Sequence, residues 1–288
     1  MASTERDLEG RHIVVTGANT GIGRATAERL AARGAKLVLA CRSEERTRPV
    51  LDAIKAAGGD ATFTPLDLGD LASVRACAAE LAAKKEPLHV LLNNAGLAGK
   101  RGTTKDGFEV TFGTNHLGHF LLTMLLAPRI VATPGARIVN VSSKAHYDAK
   151  GIDWEALRSP TRTVTGLAEY AVSKLANVLF TRELARRLGP AGVRSYSLHP
   201  GVVASDAWRQ VPWPVRPLMK LWMISNEEGA ETSIYCATSP AVSAESGRYY
   251  DSSREKTPSR LAQDEALAAT LWKKSVEWTG ADLPVAGA

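Results

Sequence analysis

Cysteine is scarce in this chain. Three occur in 288 residues, Cys41, Cys77 and Cys236. They are odd in number and far apart, which excludes a disulfide framework and a metal site of the CxxC kind. Long apolar runs are missing too. The longest, Leu117 to Ala127, contains His119 and Thr123. It falls short of the ~18 residues a membrane span needs and reads as a buried helix. The start, MASTERDLEGRH, has no basic segment followed by an apolar one. No signal peptide is read there, and a cytoplasmic location is expected. Linkers rich in Gly or Pro are absent, as are internal repeats. His116, His119, His146 and His199 stand at spacings that fit no metal motif, so no metal is expected.

What is present is ordinary for a folded chain. Hydrophobic residues make up 44% and charged ones 23%, which excludes disorder. A net charge of +6 and a pI near 9.3 raise the question of nucleic acid. The surplus is regional, however. Between Arg158 and Lys220 ten basic residues face three acidic ones, and the remainder is close to neutral. That distribution gives no reason to read a nucleic-acid partner.

Short β-rich runs alternate with helical patterns. Strands are predicted at His12–Val15, Lys36–Ala40, Ala61–Pro65, His89–Leu92, Arg137–Val141, Val193–Leu198 and Gly247–Tyr250. Helices are predicted at Gly21–Ala32, Glu44–Ala57, Leu71–Lys84, Asn115–Val131, Gly166–Leu188 and Glu227–Thr238. Such alternation means a parallel sheet covered on both faces. The expected fold is a single doubly wound α/β domain of the Rossmann type over 1–288, with about seven parallel strands. Its core is read at 8–255, and a C-terminal helical segment follows at 256–288.

The first strand runs into Thr16-Gly17-Ala18-Asn19-Thr20-Gly21-Ile22-Gly23. Glycines let the main chain approach a pyrophosphate without a Cβ in the way, and the next helix offers free N–H groups to it. Gly17, Asn19, Thr20, Gly21, Ile22 and Gly23 are therefore read as cofactor-binding. Where an NAD site usually has an acid, the second strand ends in Cys41-Arg42. A guanidinium suits a 2′-phosphate, which predicts NADP(H) over NAD. Cys41 reads as a packing residue. Asp67 either accepts a hydrogen bond from adenine, with Leu68 against the ring, or caps the helix that begins near Asp70. Asn94, Ala95 and Gly96 end the fourth strand and suit a wall beside a nucleoside.

Tyr170 and Lys174 stand at i and i+4, on one helix face. A free phenol titrates near 10, and a nearby ammonium lowers that value toward neutrality. Alone the pair is weak evidence. Val139-Asn140-Val141-Ser142-Ser143 brings a hydroxyl to the same sheet edge, Asn115 opens a helix after the fourth strand, and His199-Pro200-Gly201 ends the sixth. With these companions the chain resembles the short-chain dehydrogenase/reductase family from about His12 to Tyr250. The resemblance implies Tyr170 as acid in reduction and base in oxidation. It implies Lys174 as the group that tunes Tyr170 and binds the nicotinamide ribose, and Ser143 as the substrate-oxygen donor. Asn115 would hold a water of a proton relay. Pro200, Gly201, Val203 and Ser205 would meet the nicotinamide carboxamide. A non-catalytic NADP-binding regulator or scaffold on the same fold is the alternative, and the full set of four argues against it.

Within the family, Ala-Asn-Thr-Gly-Ile-Gly, Ala-Cys-Arg and Thr-Asn-His-Leu-Gly-His-Phe-Leu-Leu-Thr resemble the retinol dehydrogenase and WW-domain oxidoreductase branch, as does the insertion at 144–168. Two features of that branch are not seen: the apolar N-terminal segment of its membrane-anchored members, and WW modules. Trp208 to Ile224 holds three of six tryptophans, two of four methionines and no acid. Segment 206–226 is read as a substrate lid over a lipophilic aldehyde, ketone or alcohol, and as a candidate for weak membrane-surface contact. Relatives of this kind imply a homodimer or homotetramer.

Overall fold

The computed structural model describes residues 6–201 and 225–283. Val203, Ser205 and positions 206–224 of the segment read as a lid lie outside the described residues. Ser225 and Asn226, read as the end of the lid, belong to a helix start instead. Ser225 caps that helix in a reciprocal box with Glu228.

Among the described residues eight strands form one sheet. They are β1 (His12–Thr16), β2 (Lys36–Cys41), β3 (Asp60–Pro65), β4 (Val90–Asn93), β5 (Arg137–Val141), β6 (Arg194–His199), β7 (Arg248–Asp251) and β8 (Arg254–Glu255). Their order is β3-β2-β1-β4-β5-β6-β7-β8. Every pairing is parallel except the last. The seven parallel strands are those expected, and the two-residue antiparallel β8 adds to them. Ser252 and Ser253 turn the chain there with φ of 54° and 56°. Two left-handed residues make a tight hairpin, but Ser-Ser carries none of the Asn-Gly signal that announces one.

The helices are α1 (Gly21–Ala32), α2 (Glu44–Ala56), α3 (Leu71–Ala83), α4 (Gly118–Val131), α5 (Leu167–Leu188), α6 (Asn226–Thr238) and α7 (Glu265–Thr279). Leu30 of α1, Ile54 of α2 and Ile234 of α6 bury one sheet face with Val15 and Leu39. Leu81 of α3, Phe120 of α4 and Leu184 of α5 bury the other with Leu91 and Ile138. Successive strand residues point to opposite faces, so the fully buried Leu91 and Leu92 of β4 enter different cores. Outside α4 and α5 lies α7. Its Trp272 ring sits 5.1 Å from Phe120 and 5.9 Å from Phe180.

The helix expected at Asn115 starts earlier. A single turn at Val110–Phe112 leads into a π-helical stretch at Gly113–Leu117 and then α4. Glu109 starts it by accepting from the Thr111 and Phe112 amides at 2.9 and 2.8 Å. Gly118 lies inside the helix expected at Asn115–Val131. Here it permits contact, because a Cβ would stand 2.5 Å from the Leu68 carbonyl oxygen. Segment 144–168, read as an insertion, packs onto the domain. Leu157 is buried, and Thr161 Oγ1 donates to Glu109 at 2.5 Å.

Candidate active site

The strand order reverses between β1 and β4, which opens a crevice at their carboxyl ends. The Gly17 turn lies in it with φ of +67°, and a Cβ there would stand 2.8 Å from Ala95 Cα. One at Gly23 would strike the Gly17 carbonyl and Asn94 Nδ2. Turn, wall and helix thus meet backbone to backbone. Gly21, Ile22 and Gly23 form the first turn of α1, whose N–H groups have no helical acceptor. A dinucleotide pyrophosphate fits this cradle. Asn19 and Thr20 lie in the same turn.

Thr16 and His119, which the sequence reading did not single out, hold the wall. Thr16 Oγ1 accepts from the Asn94 and Ala95 amides at 2.9 and 3.0 Å. It also meets His119 Nε2 at 2.9 Å, while His119 Nδ1 meets the Asn115 carbonyl at 3.0 Å. A carbonyl can only accept, so Nδ1 carries the proton and Nε2 accepts from the threonine. Burial pushes His119 down to about 4, which keeps it neutral. No periodicity rule marks a histidine inside an apolar helix as a strut for another strand.

Arg42 follows β2, is exposed and has no ion pair among the described residues. Beneath it the Cys41 thiol is raised by burial, in keeping with a packing role. Asp70 caps α3, accepting from Ala72 and Ser73 at 3.0 and 3.3 Å. The cap reading of Asp67 is thereby removed; its carboxylate accepts from the Gly69 amide at 2.9 Å. Leu68 is 5% exposed and packs in the core, which leaves little of its side chain for an adenine face.

A cleft of about 810 Å³ continues from this crevice, with Gly96, Ser143, Tyr170, Lys174, Pro200 and Gly201 in its lining. β5 delivers Ser143, and the first turn of α5 delivers Tyr170. Ser142 points away and donates to the Lys174 carbonyl at 2.7 Å. Ser143 Oγ accepts from the Ala145 amide at 3.2 Å, which leaves its hydrogen for a ligand or for Tyr170. Lys174 is 3% exposed and its Nζ donates to the Val141 carbonyl at 2.9 Å. That ammonium lies 5.5 Å from the centre of the Tyr170 ring.

The expected lowering of the Tyr170 pKa is not found. Burial pushes the phenol up, and the hydrogen bond with Ser143 only partly offsets it. Burial also pulls Lys174 down to about 8. Desolvation of both groups outweighs their mutual effect, because the ammonium is seated on a carbonyl rather than on the phenol oxygen.

Asn115 sits in the π-helical stretch and is fully buried. Its Oδ1 accepts from the Leu97 amide at 2.9 Å. Its Nδ2 donates to the Leu97 carbonyl and to Ser173 Oγ, both at 3.0 Å. Across it, a Cβ on Gly96 would lie 3.4 Å from both Asn115 Oδ1 and Lys174 Nζ. A π-bulge often marks a functional site, and here the stretch seats Asn115 against Leu97, Ser173 and the Gly96 backbone. His199, also on the cleft, is 3% exposed, and among the described residues neither ring nitrogen has a hydrogen-bond partner. Two such nitrogens beside Pro200 and Gly201 suit a polar ligand group there.

Residues 11–156 match the family model described as short chain dehydrogenase. The chain is 42% identical to human retinol dehydrogenase 12, over 97% of this chain and 90% of that protein. A crystal structure from Mycobacterium paratuberculosis superposes with a TM-score of 0.79 at 34% identity, covering 96% of each chain. Another, described as an NAD(P)-dependent gluconate 5-dehydrogenase from Beutenbergia cavernae with bound NADP at low occupancy, gives 0.71 at 27% identity. It covers 86% of this chain and 96% of its own.

Proposed function

From the premise that this chain belongs to the short-chain dehydrogenase family, and so is an oxidoreductase acting on CH–OH with a nicotinamide cofactor, we propose an NADP(H)-dependent enzyme that reduces a bulky lipophilic aldehyde or ketone. The observation that carries this is the placement of Ser143, Tyr170 and Lys174 on one cleft wall beside the Gly17–Gly23 cradle.

When bound, the cofactor supplies the hydride. Ser143 donates its free hydrogen to the substrate oxygen and orients it. Tyr170 gives that oxygen its proton. The buried phenol favours its protonated form, which is the form that reduction needs. Lys174 is charged at pH 7 and stabilises the phenolate left behind, while Asn115 ties the lysine wall to Leu97. The Gly17–Gly23 turn holds the pyrophosphate, and Arg42 meets the 2′-phosphate. Asp67 borders the adenine, with Asn94, Ala95 and Gly96 beside its ribose. Pro200 and Gly201 meet the carboxamide.

Leu97, Ala98, Ala145 and Leu167 make much of the cleft apolar, in keeping with a lipophilic substrate and with relatives named as retinol dehydrogenases. A cytoplasmic location is part of the same reading, as is an aromatic lid able to touch a membrane surface. No described helix is long and apolar enough to cross one. Tyr170→Phe should lose at least about 100-fold in turnover while NADPH affinity stays within twofold, read by NADPH consumption and by fluorescence titration. Turnover near wild type would defeat the assignment. Retinal, steroids, quinones and medium-chain aldehydes form the first substrate panel.

A further inference from the structure

His146 has no part in the chemistry described above, yet it is fully buried and touches Ser143. Its Nδ1 lies 2.7 Å from the Ser143 carbonyl oxygen. Its Nε2 lies 3.1 Å from the Ser259 amide nitrogen. The two contacts settle the tautomer. An amide N–H can only donate, so Nε2 accepts; a carbonyl can only accept, so Nδ1 carries the hydrogen. The ring is a neutral bridge with a defined direction, running from the C-terminal segment to the residue that presents the reactive hydroxyl. Burial favours the neutral form, lowering the pKa of His146.

The bridge is braced on both sides. Tyr249, 1% exposed, packs edge-on at 4.7 Å. Next in sequence, Tyr147 packs against the ring at 4.0 Å, tilted by 40°, and donates its hydroxyl to the Thr257 carbonyl at 2.6 Å. The turn after Ser143 is therefore fastened twice to 257–259, a stretch 110 or more residues away in sequence.

We propose that His146 is a positioning residue for Ser143, holding its carbonyl through Nδ1–H and passing to it the placement of the segment at Ser259. The inference rests on the reading of Ser143 as the substrate-oxygen donor. Free of this bond, the Ser143 peptide keeps only the His146 backbone amide as partner on that side. Its hydroxyl then loses its aim at the reacting oxygen.

Three substitutions separate positioning from packing. His146→Phe keeps the ring volume and removes both bonds. His146→Asn keeps a donor near Nδ1 and loses the Ser259 contact. His146→Gln keeps an acceptor near Nε2 and loses the Ser143 contact. We expect His146→Phe and His146→Gln to lower kcat about tenfold or more, the scale of a small misplacement at a reacting centre. NADPH affinity should stay within twofold, and His146→Asn should recover kcat to within about threefold of wild type. Melting temperatures of the three report packing separately. A wild-type kcat in His146→Phe would overturn the proposal. So would a His146→Asn enzyme as slow as His146→Gln, since a purely structural role has no reason to prefer one nitrogen. Ser143→Ala, measured alongside, tests the underlying reading: wild-type turnover there would show that Ser143 is not the donor, whatever the histidine variants do.

Discussion

Replacing Lys174 by Met should make the protein more stable while abolishing turnover. The ammonium is 3% exposed and, among the described residues, its one hydrogen bond is to the Val141 carbonyl. Burial lowers its pKa from 10.5 to about 8, a difference worth ~3 kcal/mol against the folded state at neutral pH. Relaxation around the buried charge reduces this, so a gain of ~1–3 kcal/mol is expected. Met has similar volume. The carbonyl it deserts is not orphaned, because Asn177 Nδ2 also donates to it at 3.1 Å. For a chain of this size the gain is a rise of a few degrees in Tm. The pH dependence supplies the sign. The unfolded lysine stays protonated up to about 10.5 and the folded one only to about 8. Its cost is therefore full below pH 8 and disappears as pH rises to 10.5. Buried tyrosines and cysteines with raised values, such as Tyr196 and Cys236, work in the opposite direction in the same range. The quantity to measure is thus the difference between Lys174→Met and wild type, by thermal or urea unfolding at pH 7, 8.5 and 10. The reasoning fails if the variant is less stable at pH 7, or if its advantage does not shrink by pH 10.

Cofactor choice is tested by Arg42→Ala. An exposed guanidinium with no competing carboxylate should contribute ~1.5 kcal/mol toward a 2′-phosphate. NADPH should then bind about tenfold more weakly, with NADH unchanged; equal wild-type affinities for the two would reject the preference. Acid stability follows from two buried histidines, His116 and His119, which desolvation pushes down to about 3 and about 4. Unfolded, both titrate near 6.5, so their stabilisation is present above that pH and is lost as pH falls toward those folded values. Between pH 7 and 5 roughly 4 kcal/mol should disappear in urea denaturation, and a flat profile would contradict the neutral, buried assignment.

Repeating patterns were the most legible part of this chain. The helix at Gly21–Ala32 and the strand at Arg137–Val141 fall where periodicity and the flanking glycines put them. Boundaries slipped where one residue type carries two meanings. Gly113, left outside the helix expected at Asn115–Val131, is helical here and admits Thr104, as Gly118 admits Leu68. The chemical residues were legible because their spacing along one helix and their positions at strand ends are properties of the chain itself. Their protonation was not. The raised phenol and lowered ammonium come from burial by distant segments, which no local pattern encodes. The same holds for Thr16, His119 and His146: Thr16 and His119 meet across 103 residues, and His146 and Ser259 across 113.

The placement of α7 bears on how this protein can be cut, joined and assembled. Trp272 and Trp278 are inner wall, not tail: one closes over Phe120 and Phe180, the other over Phe108 and Phe112. Truncation before Glu265 would open that aromatic interior to water, so the C-terminal helix is a poor place to shorten the chain. The broad outer face of α4 and α5 is already covered by the chain itself. A second copy approaching that side meets Lys273 and Glu277 on the exposed surface of α7. Self-association through the helices beneath would have to peel α7 away first.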